Sequence, residues 1–209
     1  MVIKRKIDKE ELKELPKAAF PGRIFVIQTE EEATKAVNYL LTKPVVGIDS
    51  ETRPSFAKGK SHKVALLQIS AEDCCFLFRL SHIGLPEALI KLLEDDSVVK
   101  VGLSLKDDFL MLHKRASFKP QNIIELQQYV KNIGIEDMSL QKIYAILFGE
   151  KISKSQQLSN WETDILTDRQ KQYAATDAWA CLNIYNKLEH LKNTGNYKLE
   201  SEEEHITNE

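Results

Sequence analysis

The chain has 209 residues, 43% of them hydrophobic and 29% charged, which is enough for one well-cored domain of ordinary globular composition. No apolar run approaches the roughly 18 to 20 residues that cross a bilayer, and the start Met1-Val-Ile-Lys-Arg-Lys6 lacks the apolar stretch of a secretory signal, so no membrane partner and a cytoplasmic location are expected. A net charge of −2 argues against a strongly basic nucleic-acid binder, yet five of the 31 acids fall in residues 200–209, which leaves 29 basic against 26 acidic residues, or +3, on the body.

A charged leader, residues 1–22, reads as one loose helix over Lys4–Lys17, followed by a strand at Arg23–Gln28. Thr29 to Glu32 has the form of a capping box opening a helix through Leu41, which Pro44 stops. Strands are predicted over Val45–Asp49, Lys63–Ser70 and Cys74–Leu80, then a helix at Pro86–Leu93 and a strand at Val98–Leu103. The second half reads as a helix from Leu105, a short strand at Asn122–Leu126, a helix at Ser139–Phe148 and a long helix over Leu166–Lys192 opened by a Thr167-x-x-Gln170 box. Residues 193–209 read as an acidic, disordered tail, and no repeat or linker divides residues 23–192. The class is α/β, a sheet with helices interposed. The three cysteines, Cys74, Cys75 and Cys181, fit neither a disulfide framework nor a zinc spacing.

Asp49 and Glu51 are two residues apart in an extended segment, so they leave the same face at about 7 Å spacing along the strand. The run Val45-Val46-Gly47-Ile48 places this strand centrally, with the carboxylates at its carboxyl end, where α/β sheets hold ligands. Taken alone, such a pair is more simply explained as a solvated strand end. Asp108 follows another strand and opens a helix, where Ser104-x-x-Asp107 offers a capping box and the helix dipole offers Asp108 a structural reason of its own. In the closing helix Asp177 interrupts an apolar stripe, and Tyr173 one turn earlier points the same way, able to share a water with it. Four carboxylates of this kind are an oxygen-rich set suited to Mg²⁺ or Mn²⁺. Two such ions about 3.5 to 4 Å apart can clamp both oxygens of an in-line phosphoryl displacement.

With these motifs the chain resembles the DEDD superfamily of 3′-5′ exonucleases, in the tyrosine subgroup that includes ribonuclease D, the Werner syndrome exonuclease domain and polymerase proofreading domains. The likeness covers residues 23–192. It rests on Gly47-Ile-Asp49-Ser-Glu51-Thr with Lys63-Val-Ala-Leu-Leu-Gln68-Ile, on Val101-Gly-Leu-Ser-Leu-Lys-Asp-Asp108, and on Leu158-Ser-Asn-Trp161 leading to Tyr173-Ala-Ala-Thr-Asp177. The resemblance implies a ribonuclease H-like fold, a mixed central sheet flanked by helices, and two divalent cations, Mg²⁺ or Mn²⁺. It also implies that Asp49 bridges both ions, that Glu51 and Asp177 complete the site of the one that activates water, that Asp108 holds the second, and that Tyr173 orients the nucleophile. Asp107 and Asp108 are adjacent, so a one-residue slip would exchange them.

Arg53, Phe56, Lys58, Lys60 and Lys63 fall in an acid-free segment suited to phosphate contact and base stacking, and Lys154 in a second basic loop can flank the same groove; a charged hairpin loop is the alternative for the first segment. The implied partner is the 3′ end of single-stranded or frayed DNA or RNA, from which nucleoside 5′-monophosphates would be released. The competing classes are a non-catalytic nucleic-acid-binding module of the same fold and a Mg-dependent hydrolase of small phosphate esters.

Overall fold

The computed structural model describes residues 1–56, 59 and 61–201. Its centre is a six-stranded mixed sheet in the order β2 (Arg23–Ile27), β5 (Cys74–Phe78), β4 (Val64–Ser70), β3 (Val45–Thr52), β6 (Val99–Gly102), β7 (Ile123–Glu125). β3, β4 and β5 form an antiparallel meander, and β2, β6 and β7 add in parallel at its two sides. Crossovers return through α2 (Glu30–Leu40), α4 (Glu87–Glu94) and α5 (Leu105–Leu112), as parallel pairing requires.

The alternation of β3 separates two cores. Val46 and Ile48 enter a core built with α2, α4 and α5, while Gly47, Asp49 and Glu51 lie on the face crossed by α8 (Asp168–Thr194). α8 buries Ala174, Ala175 and Ala178 against Ala65, Leu66 and Leu77 of the sheet. Its later turns, Ala180, Cys181, Ile184, Leu188 and Leu191, pack with α7 (Leu140–Phe148), α6 (Leu126–Asn132) and the leader. All three cysteines are buried and free.

Several elements depart from the sequence reading. The strand through Asp49 continues to Thr52, so both of its carboxylates stand on a paired strand, with a register shift between Glu51 and Thr52. The strand from Cys74 stops at Phe78, and Leu80 starts a short helix, α3 (Leu80–Ile83), because the fully buried Arg79 turns away to donate to the carbonyls of Thr163 and Asp164. α6 escapes periodicity because two turns expose only Leu126 and Val130 as an inward pair. The leader is not one helix: α1 (Lys9–Glu14) starts at its Asp8 cap and ends before Pro16, while Val2–Ile3 forms β1.

β1 pairs in parallel with β8 (Lys198–Leu199), a strand in the segment expected to be disordered. α8 runs to Thr194 and closes on Gly195 in the left-handed region, and Ile3 is completely buried. Apolar burial at both ends therefore overrides the polar composition around them. The acidic residues from 202 onward, and Lys58 and Lys60, lie outside the described residues. Among the described residues no helix is long and apolar enough to cross a membrane.

Gly47 decides how closely α8 approaches β3: a Cβ there would land on the carbonyl of Ala178 and within 3.0 Å of the Leu182 nitrogen. Gly47→Ala should cost about 3 kcal/mol and lower the melting temperature by roughly 10 °C, since backbone must yield. A calorimetric Tm within 2 °C of wild type, about the scan error, would show that the contact is slack.

Candidate active site

Asp49 and Glu51 project from one face of β3, and Asp177 meets them from α8, one residue before the close contact at Ala178. Carboxylate oxygens of the three lie within 4.8 Å of one another. Asp49 stands opposite Gln68 on β4, and Gln68 Nε2 donates to Asp49 Oδ2 at 3.1 Å. Tyr173, one turn before Asp177, lines the same cavity and faces the Asp177 carboxylate. Trp161 is buried behind the phenol, its ring centroid 6.0 Å from that of Tyr173.

Asp108 stands outside this trio. Its Oδ1 accepts from Ser50 Oγ at 2.5 Å, and its charge is felt by Asp49 and Glu51. The neighbouring Asp107 is exposed to solvent, so of the two adjacent acids only Asp108 faces the centre. The capping box suggested by Ser104 and Asp107 does not form. Ser104 has a left-handed backbone, φ 64°, and makes no side-chain cap. Glu125, at the end of β7, takes over, accepting from the N–H groups of Ser104 at 2.9 Å and Leu105 at 2.8 Å. It lies beside Gly102 across the β6–β7 pair, a proximity that only the folded sheet creates.

Burial without a compensating cation dominates the electrostatics. Burial and the charges of Asp108 and Asp177 push the Asp49 carboxyl well above the carboxylate range. Burial, then Asp49, Asp177 and Asp108, raise Glu51 to about 10. Asp177 is raised to about 7 by burial, offset by the Tyr173 hydroxyl and Lys154, and Asp108 is raised to about 6 by burial, offset by Ser50. Burial and the surrounding carboxylates also raise the Tyr173 phenol, so it remains a donor. Closely set oxygen donors that cannot all ionise unaided are what a hard divalent cation satisfies. Asp49, Glu51 and Asp177 can hold one.

A cavity of about 300 Å³ opens over the trio, lined also by Tyr173, Cys181, Gln141 and Lys154. Among the described residues Lys154 is thus the one expected substrate contact that borders the carboxylates. Arg53 lies apart from that lining, its Nη1 3.3 Å from Glu162 Oε2, and His62 Nδ1 reaches the other oxygen of Glu162 at 3.2 Å. Part of the expected phosphate-binding charge is therefore already paired. Phe56 is 87% exposed and Lys63 is exposed, neither meeting the carboxylates. The sequence reading did not single out Gln68, Ser50, Glu125 or Glu162 as site residues; each acts through a partner 19 or more residues away, beyond any local pattern.

The mixed sheet and its acidic centre have the form of a hydrolase of phosphodiester bonds. A 3′-5′ exonuclease family profile matches residues 24–192, and the chain belongs to that family. It is 33% identical to a 3′-5′ exonuclease of Arabidopsis thaliana, over 84% of this chain and 67% of that protein. It is 32% identical to the bifunctional 3′-5′ exonuclease/ATP-dependent helicase WRN of Mus musculus over 92% of this chain, though it spans 14% of that protein's length. In three dimensions it is similar to the Nibbler EXO domain of Aedes aegypti, with a TM-score of 0.76 and 21% identity over 84% of this chain and 91% of that one. The fold is ribonuclease H-like.

Two expectations concern stability. Glu125→Ala leaves three backbone donors, those of Ser104, Leu105 and Gln127, without a carboxylate acceptor and should cost about 2 kcal/mol, lowering Tm by roughly 6 °C, with Glu125→Gln losing less; unchanged melting of both would free Glu125 of this role. The raised carboxyls make the folded chain hold protons that the unfolded chain releases. These groups therefore contribute stability below the unfolded range near 4, and it is lost stepwise as pH rises through about 6 for Asp108, about 7 for Asp177 and about 10 for Glu51. A divalent cation replaces those protons. Mn²⁺ should thus raise the Tm of chelator-treated protein more at pH 8 than at pH 6, and equal increments would place its binding elsewhere.

Proposed function

We propose that this protein is a metal-dependent 3′-5′ exonuclease that hydrolyses the terminal phosphodiester of a single-stranded or frayed DNA or RNA 3′ end and releases nucleoside 5′-monophosphates. The observation that carries the reading is the convergence of Asp49, Glu51 and Asp177, with Tyr173 beside them, in an open cavity. Family membership supports the same chemistry.

Asp49, Glu51 and Asp177 would hold divalent cations, Mg²⁺ or Mn²⁺, with Asp108 completing a second position through its place beside Ser50. When bound, such ions neutralise charge on the phosphoryl oxygens and ease deprotonation of the attacking water. The protein's own contribution is alignment. Gln68 fixes the Asp49 carboxylate on the strand, and Ser50 fixes Asp108. Tyr173, held protonated, lies beside the carboxylate edge and can orient a water there without acting as a base. Lys154 sits where a cation can meet a non-bridging phosphate oxygen.

The test is a time course on 5′-labelled single-stranded DNA and RNA with Mn²⁺, Mg²⁺ or chelator. Wild type should give a metal-dependent ladder shortening from the 3′ end, and Asp177→Ala should slow it by more than about a hundredfold without loss of stability, because a like charge is removed from a crowded site. Tyr173→Phe should lower the rate more than the apparent metal affinity. Full-length oligonucleotides under every condition would instead favour a non-catalytic binding module or a hydrolase of small phosphate esters.

A further inference from the structure

Residues ahead of the family match at 24 build a wall beside the carboxylate cavity. The leader is seated by Ile3, Ile7 and Leu12, all buried in the core that includes α7 and α8. It is then stitched down: Lys151 N donates to Pro16 O at 2.8 Å, Ala18 N to Lys151 O at 2.9 Å, and Phe20 N to Thr176 Oγ1 on α8 at 3.0 Å. Lys17 is thereby fixed alongside the loop that carries Lys154.

Between α1 and this loop lies a cavity of about 320 Å³ whose wall carries Lys9, Lys13, Lys17, Lys151 and Lys154 and no acid. It shares Gln141, Ile152, Ser153 and Lys154 with the carboxylate cavity. A third cavity, about 500 Å³, shares Lys17 with the lysine cavity and Tyr173 with the carboxylate cavity, and adds Arg169. The three adjoin one another through these shared lining residues. Among the described residues, Lys9, Lys17, Lys154 and Arg169 enter no ion pair, while Lys13 pairs with Glu10 on its own helix at 2.6 Å.

A fixed row of cations costs repulsion unless an anion lies along it. A small phosphate ester would meet one or two of these charges, whereas a strand with one phosphate at the carboxylates must carry its next phosphates away across a neighbouring surface. The cavity that shares the Lys154 loop with the site is lined by lysines and by no acid. Resting on the exonuclease reading, we infer that α1 and the Lys151–Lys154 loop form a groove for the phosphate backbone of a single strand on the 5′ side of the scissile bond. Recognition there is by charge, independent of base sequence.

The triple variant Lys9→Gln, Lys13→Gln, Lys17→Gln tests it against wild type, with Mn²⁺, on a dinucleotide and on a single strand of about 20 nucleotides. For the long strand KM should rise about tenfold at unchanged kcat, and the slope of log KM against log salt should fall by about 0.7 per lost contact. The dinucleotide, too short to reach the groove, should keep its wild-type kcat/KM. An unchanged KM and salt slope on the long strand overturns the groove, as does a parallel loss on the dinucleotide, which would mark the leader as a support for the site. If wild type hydrolyses neither substrate, the exonuclease reading falls, and fluorescence anisotropy of the labelled long strand in chelator judges the groove: about tenfold weaker binding by the variant supports it, and equal binding overturns it.

Discussion

The close passage of α8 over β3 at Gly47 is the constraint on which the rest of the molecule depends. It brings the helix backbone at Ala178 against the strand, and so sets Asp177 beside Asp49 and Glu51 with oxygens within 4.8 Å. The small residues Ala174, Ala175 and Ala178 extend the same low profile along the helix. A larger side chain at any of these points would lift α8 and widen the gap between carboxylates that must act together.

That proximity works against stability. Like charges in a buried setting raise one another's proton affinity, and each must either stay protonated or find a cation. The fold offsets part of this with donors: the Gln68 amide meets Asp49, the Ser50 hydroxyl meets Asp108, and the Tyr173 phenol lies beside Asp177. None carries a positive charge. The net result is a scaffold whose two apolar cores must outweigh a centre that is unfavourable until a cation joins it, which is how binding free energy becomes stability.

Much of the architecture was legible because it is periodic. The apolar β3 run, the Thr29 and Thr167 capping boxes and the interrupted stripe of α8 each specify element and face locally. Asp49 could be paired with Glu51, and Tyr173 with Asp177, because strand and helix spacing set side-chain direction; joining the two pairs rested on the resemblance to the exonuclease family. What was hidden depends on contacts far apart in sequence. Glu125 caps α5 across two strands, Glu162 draws off the charge of Arg53, and a two-residue strand near each end of the described chain is too short to announce itself. Composition pointed the wrong way at residues 193–200, since Lys198–Leu199 takes its order from Val2–Ile3 rather than from its own propensity.

The pairing of Val2 with Lys198 also has a temporal side. During synthesis the leader emerges well before its partner strand, which follows nearly the whole described chain, and α8, which supplies Asp177 and the floor under Phe20, comes just before that partner. Contacts of such separation are the slow ones to close. The carboxylate trio therefore waits on the docking of α8, as does the Phe20 end of the leader beside the lysine wall.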